Sequence, residues 1–577
     1  MKNYRKIIYA VAMFAVFSCT EYDPQDFTVE KPESIAAKEY LNAYDVLKTY
    51  IDQAENPNFR LGSIVNLDDW ESKNTSTRII LDNFSEMTFS GTELFHDAVV
   101  EDDGKINLNA VKSMMESVKA ADFSVFGHAL CANTNQNSVY LNNLLTPQVF
   151  APENDVLDKS GLNETPFEGG WRGAHDTGGG SVSRANNGIA GGSASLNLTN
   201  GNNTTVANTR IQSPSIDRTQ AIKKWLVTFC IKSDMPGRGR VALSNNFRNR
   251  YPFTLDENEG ATSIFNTTTE WQQFQFVVDA DIANLNSTSI SRGDSLLFTF
   301  SIDVGYVRNV KYQVDIQTLS MIPIEGDVVP EYTAFAFRSD NEKEELLKGA
   351  MQEYISATID TCKNVIKGWD VVSNPMSERN LGEIKYGSDF FVIPDGEFYW
   401  QDYLGKDYAV TAFNLARQSG NGNEKLFIYE DNLFNNPAKY NGFVEYIKYI
   451  DSKGATVDGI STPLSATLGV TDIQAIKDFF VALAATGKLV RISDLTVGIR
   501  RAGSSANLNI SSLTENEQLA MSDFYEEIAA AYFENIPAAQ RYGITLHTPV
   551  DNTTFVGLWS TDYSRKHTFA GFIKGFK

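Results

Sequence analysis

A chain of 577 residues with 42% hydrophobic and 12% aromatic content can bury a large core and is long enough for more than one domain. Its formal net charge of -22 argues against nucleic acid as a partner, because phosphate binding needs clustered Lys and Arg. A neutral polymer such as a polysaccharide is compatible with so acidic a surface.

The chain opens with Lys2, Arg5 and Lys6 ahead of an apolar run from Ile7 to Phe17. The run is too short for a permanent membrane span and has the length of a signal-peptide core, which predicts export. Val16-Phe17-Ser18-Cys19 then resembles a bacterial lipobox, which implies cleavage after residue 18 and lipid attachment to Cys19. The plainer reading is an ordinary secretory signal beside an unrelated cysteine. Thr20-Glu21-Tyr22-Asp23 resembles the acidic surface-export signal of Bacteroides-type lipoproteins. That resemblance implies a protein on the cell outer membrane, facing outward and touching the membrane through its lipid alone. Residues 19–37 read as a tether. The remaining cysteines, Cys131, Cys230 and Cys362, have no metal-ligand spacing and are read as small buried apolar residues. No metal and no cofactor is predicted.

Beyond the tether, Tyr40, Ala43, Leu47 and Ile51 have helical spacing, and the alternation in Phe59 to Asn66 predicts a first strand. A second strand lies within Asn83 to Glu93 and a third, FSVFGHALCAN, within Phe123 to Asn133. His128 sits in that third strand, where a lone histidine is more often a satisfied core group than a ligand.

From residue 146 to 326 the composition shifts to Gly, Asn, Ser and Thr, and the readable elements are all strands: Lys224 to Asp234, Glu270 to Ala280, Leu296 to Val304 and Tyr312 to Ile322. Short strands joined by Gly-rich turns predict a β-sandwich. Trp171, Phe247, Tyr251 and Phe253 lie outside regular strands and are candidates for exposed sugar contacts; the plainer reading is that they cap a sandwich end. Trp225 and Trp271 lie inside strands and are read as core. EWQQFQF and VDIQTLSM resemble the family 4/9 carbohydrate-binding modules, a jelly-roll class, which implies sugar binding by this insert.

A long helix follows Asn341, with Leu347, Met351, Tyr354, Thr358, Cys362 and Ile366 on one face and Gly368 ending it. Trp369 to Val372 is a fourth strand that runs into Ser373-Asn374-Pro375. Lys425 to Asn432, Val457 to Leu468 and Leu489 to Ile499 read as the fifth, sixth and seventh strands, and Thr553 to Trp559 as the eighth.

The stretch WDVVSNP, Trp369 to Pro375, resembles the WDVVNEA motif of the fourth strand in family 10 glycoside hydrolases, the xylanases. GHALCAN resembles the family's third-strand pattern G-H-T-L-V-W-H, and LVRISDLTVGI its V-x-I-T-E-L-D-I. The resemblance implies an α/β fold, a (β/α)8 TIM barrel formed by residues 38–145 and 327–577 and interrupted after its third strand by the sandwich at 146–326. In such barrels the residues past the carboxyl ends of the strands face substrate. His128 then falls on the histidine that touches the sugar at the cleavage site, with Asp370 and Asn432 as further substrate contacts.

The catalytic positions differ from the family pattern. Its acid/base glutamate falls on Asn374 and its nucleophilic glutamate on Asp494. The second strand's Glu-Asn pair and lysine fall on Ser90, Gly91 and Leu94, and the third strand's Trp-His pair falls on Ala132 and Asn133. The sixth strand's glutamine and orienting histidine fall on Pro463 and Ser465, and a tryptophan of the eighth falls on Val556. Retaining glycosidases need two carboxyl groups roughly 5 to 5.5 Å apart. An amide has no acidic proton to give, and general acid catalysis is typically worth about 10²–10⁴ in rate. Asp494 is one methylene shorter than glutamate, and a misplacement of about 1 Å can cost on the order of 10².

The expectation is therefore a surface lipoprotein that holds xylan or a related plant polysaccharide with a degenerate barrel and an inserted binding module, in the setting of a surface polysaccharide-uptake complex. The alternative is an active endo-xylanase-like glycoside hydrolase that uses Asp494 with an acid from elsewhere, such as Glu378. A purely structural subunit would bind no glycan at all.

Overall fold

The computed structural model describes residues 39–576 apart from 176–177, 203–204, 206–207, 218–223, 246–252, 255–263, 280–296 and 327. The export segment, Cys19, the tether, Phe247 and Tyr251 lie outside the described residues, and Phe253 is described only as backbone in the short strand Phe253–Thr254. Among the described residues, no helix is long and apolar enough to cross a membrane.

Eight strands close into a barrel in chain order: β1 Arg60–Val65, β2 Glu86–Phe89, β3 Val125–Cys131, β4 Ile366–Ser373, β5 Lys425–Tyr429, β6 Gly459–Leu468, β7 Leu489–Ile499 and β8 Arg541–Leu546. This is the (β/α)8 barrel expected from the sequence. Strands covered on both faces must be apolar almost throughout, and in β4 only Lys367 is exposed. Local sequence is matched across neighbouring strands. A Cβ on Gly127 in β3 would stand 2.2 Å from the Trp369 ring of β4, so glycine is what admits the buried indole.

The helix before β4 spans Asp340–Cys362 and starts in a capping box, with Ser339 and Glu342 each bonding the other's backbone N–H. It ends earlier than its apolar spacing suggested, because Ile366 continues the buried pattern as the first residue of β4. The stretch from Tyr40 to Ile51 is two separate 3-10 turns, broken at the extended Tyr44. The eighth strand is also corrected. Arg541–Leu546 pairs in parallel with β1 and β7, whereas Val550 and Trp559 make only isolated bridges. Both segments are apolar enough for a strand. Backbone pairing on two sides decides between them, helped by Gly543, where a Cβ would meet the Arg60 carbonyl oxygen at 2.2 Å.

Between β3 and β4 the chain builds two antiparallel sheets, of six and seven strands. Their facing sides share a core that includes Leu198, Val227, Phe229, Ile302 and Val314. Antiparallel strands Gln148–Val149 and Phe335–Ala336 pair at the entry and exit of this region, so the inserted chain leaves the barrel and returns to it at one place. The strand expected at Tyr312 to Ile322 is two strands, Lys311–Asp315 and Ser320–Ile324. The Asp315 carboxylate makes the turn between them by accepting from the Thr318 and Ile189 N–H groups at 2.9 and 2.8 Å.

Trp171, expected among exposed sugar contacts, is only 3% exposed and belongs to the sandwich core, its indole N–H donating to the Asp158 carbonyl at 2.7 Å. It has no open ring face. Trp225 is core as expected, but Trp271 is half-buried with the Lys232 ammonium 5.0 Å above its ring. The outer side of the six-stranded sheet is crossed by the protein's own chain. The Gln273 and Gln275 amides each donate to the Tyr332 carbonyl at 2.8 Å, and Ala334 N–H donates back to Gln273 at 2.7 Å.

Candidate functional site

The described residues divide into two compact units, one made of those up to Ser90 with those from Gly459 onward, the other Gly91–Asp458. In the second, β3 and β4 lie in register with His128 opposite Asp370. His128 Nδ1 is 2.7 Å from Asp370 Oδ2; the carboxylate is fully buried and the imidazole is 26% exposed. Phe95 and Tyr429 meet the imidazole edge-on at 5.7 and 4.8 Å. Asp370 and the two rings thus fix the imidazole, leaving Nε2 as its remaining polar atom. The structure joins these two predicted residues, though it does not join them to Asn432, which is exposed and contacts Asn435.

Asn374 follows β4 directly and has φ +52°, a left-handed conformation that Asn tolerates better than most residues. Three of its polar groups tie loops together. Its N–H donates to the Tyr429 carbonyl at 2.9 Å, its Oδ1 accepts from the Asp431 N–H at 3.1 Å, and its carbonyl accepts from Asn133 Nδ2 at 3.2 Å. Asn133 in turn accepts from Gln401 Nε2 at 2.9 Å. Asn374 is therefore a cross-tie between the chain segments that follow β3, β4 and β5.

Next to it lies a charged cluster that the sequence did not reveal. Lys439, on the helix Pro437–Ser452, has a fully buried side chain and reaches Glu430 at 2.6 Å, Asp431 at 2.8 Å and Glu378. Glu430 Oε2 also accepts from the Met376 N–H at 2.9 Å. Burial pushes the Glu430 carboxyl up to about 8 against the opposing pull of Lys439. Burial likewise works against the Lys439 charge, but Glu430, Asp431 and Glu378 outweigh it and hold the ammonium above its ordinary value. Oxygens of the three carboxylates lie within 4.8 Å of one another, close enough to share a metal ion, and the ammonium fills that role instead. Glu378, considered above as a substitute acid, is thereby engaged in an ion pair.

In the other unit, β7 carries Asp494, whose Oδ2 is 3.0 Å from Nδ1 of His547. The His547 backbone N–H donates to the Leu495 carbonyl at 3.1 Å, and the Phe555 ring meets the imidazole edge-on at 5.6 Å. The hydrogen bond to the Asp494 carboxylate raises the His547 pKa above its ordinary value, against the effect of burial. Asp494 Oδ1 is buried and has no hydrogen-bond partner among the described residues. His547 is the first residue past β8, and Val556, expected within the eighth strand, lies outside it. The alternation of Tyr542, Ile544 and Leu546 running into a histidine was the available signal. Ser465, where the orienting histidine of the sixth strand was expected, bonds Thr496 at 2.7 Å instead. The histidine beside Asp494 comes instead from the segment that follows β8. Deeper in the same unit, the buried Arg491 donates to Thr88, Thr545 and Ser461 at 2.8, 3.1 and 3.2 Å, a polar layer that stiffens β7 beneath Asp494.

Residues 329–573 match the family model described as Glycosyl hydrolase family 10. The chain is similar to endo-beta-1,4-xylanase Xyn10C of Cellvibrio japonicus, 26% identical over 220 residues, which are 37% of this chain and 35% of the relative. It is also similar to the thermostable celloxylanase of Thermoclostridium stercorarium, 26% identical over 175 residues, 30% of this chain and 42% of the relative. The chain thus spans between a third and a half of these two relatives. Among solved structures, xylanase B from Clostridium stercorarium F9 aligns with a TM-score of 0.49 at 12% identity, over 92% of this chain and 99% of that one. The match to glycosyl hydrolase family 10 thus covers residues 329–573, which include β4 to β8 of the closed parallel barrel.

Proposed function

We propose that this protein is a lipid-anchored surface protein of the outer membrane that binds a neutral plant polysaccharide of the xylan type and does not cleave it. The observation that carries the reading is Asn374. It occupies the acid/base position as an amide whose oxygen is bound to the Asp431 N–H, so protonation of a leaving glycosidic oxygen has no donor there. Glu378 does not replace it, being paired with Lys439. What remains is suited to hydrogen bonding with sugar hydroxyls: the braced His128 imidazole in one unit and the partly exposed Asp494 carboxylate in the other. Cys19 and the acidic residues after it support the anchor, and an outward-facing glycan binder of this kind fits a polysaccharide-uptake complex.

A second reading, residual hydrolysis, is favoured by Asp494 keeping a carboxylate oriented by His547. Reducing-end release from soluble arabinoxylan by the lipid-free protein, at high concentration over many hours and beside an Asn374→Ala/Asp494→Ala control, separates the two. Retardation in native gels containing arabinoxylan, with no release above the control, is the expected result. Release that disappears in the control would overturn the non-catalytic reading.

A further inference from the structure

The loop that leaves β4 carries a solvent-facing apolar tip that nothing above uses. Phe391 is 100% exposed, Val392 72% and Ile393 44%. Large apolar groups held in water mark contact sites when the backbone that presents them is firmly held. This backbone is. Asp389, just before the tip, accepts from Ser377 Oγ at 2.8 Å, Asn380 Nδ2 at 3.1 Å and the Tyr386 N–H at 3.2 Å. Phe390 packs on Tyr399 at 5.5 Å beneath the Arg379 guanidinium at 5.3 Å. Beyond the tip, the Gly396 carbonyl accepts from the Gln136 N–H at 3.1 Å.

We infer that Phe391, flanked by Val392 and Ile393, is a stacking platform for a sugar ring of the same neutral polysaccharide, an inference that rests on the binding function proposed above. Two observations select this occupant. The tip is tied to the candidate site: Ser377, which anchors Asp389, is three residues from Asn374, so Phe391 lies within about 25 Å of Asn374, a distance one extended glycan can span. The immediate surroundings are more acidic than basic, with Asp389 before the tip and Asp395 and Glu397 after it against Arg379, which covers Phe390. Such a rim disfavours anionic lipid headgroups and a second copy of a chain with net charge -22, whereas a neutral sugar presents only its C–H face to the ring. Phe391 has both ring faces open, which Trp171 does not.

The test is affinity electrophoresis of the lipid-free full chain in graded soluble arabinoxylan, comparing wild type with Phe391→Ser and following thermal midpoints in parallel. A fully exposed side chain contributes little to folding, so the midpoint should not move while apparent affinity falls about three- to tenfold, as expected for one lost ring contact. Wild type and Phe391→Ser retarded equally would overturn the inference and leave the binding function standing. A wild type that is not retarded at all would overturn both. Sedimentation showing a dimer that Phe391→Ser dissolves would assign the tip to a second copy and also overturn the inference.

Discussion

Replacing Lys439 with Met keeps most of the side-chain volume and removes the one ammonium that serves three carboxylates. Glu378 and Asp431 are about half exposed and fall back on water, but Glu430 is fully buried and loses its counter-ion. Breaking a buried pair from one side typically costs about 3–5 kcal/mol. Glu430 is already pushed up to about 8 by burial with Lys439 present, and without it the carboxyl rises further. The sign of the pH dependence follows. A carboxyl whose folded pKa lies above its unfolded value binds its proton more tightly in the native state, so stability falls as pH rises from the ordinary carboxyl range through the folded value. Below about pH 8 the Glu430 carboxyl keeps its proton in both proteins, so the variant should fall away from wild type as pH rises above 8, where the wild-type carboxyl ionises beside Lys439, by up to about 1.4 kcal/mol per pH unit. Thermal midpoints of wild type and Lys439→Met, taken between pH 5 and 10, measure this. A midpoint difference that does not widen above pH 8 would show that Lys439 is not the counter-ion that Glu430 depends on.

Asp494→Asn should lower the His547 pKa, since the charged acceptor goes while the burial stays; an NMR titration of the imidazole that does not move would refute the pairing. Because the wild-type pKa is raised, the pair stabilises at low pH and fades as pH rises through it, and with both groups partly exposed the gain is at most about 1 kcal/mol. Trp171→Ala should destabilise by about 3–5 kcal/mol as a core cavity, with unchanged arabinoxylan retardation of the folded fraction; a selective loss of binding would restore its role as a sugar contact. Gly127→Ala should lower the thermal midpoint by overpacking against Trp369, about 1–3 kcal/mol; a neutral result would mean that β3 and β4 part easily.

Some of this was determined by sequence alone. β3 and β4 are short, mostly apolar runs, a pattern set by burial on both faces, and β7 is a longer alternating one; all three lie where the local reading put them, with β4 starting three residues earlier. The differences of Asn374 and Asp494 from the motifs they resemble are equally plain as letters. The tertiary structure decided what letters cannot carry. Between two apolar segments near the carboxyl terminus, only pairing with both β1 and β7 selects Arg541–Leu546 as the closing strand, and that choice brings His547 to Asp494. Lys439 is 61 residues from Glu378, and nothing local distinguishes it from a solvated lysine until the helix Pro437–Ser452 packs it among three carboxylates. The same holds for Trp171, polar neighbours and all, which looks exposed in sequence and is core in space. Backbone propensity acts within a few residues. Strand closure, desolvation and charge pairing act across the folded chain, and they are what placed the groups of this site.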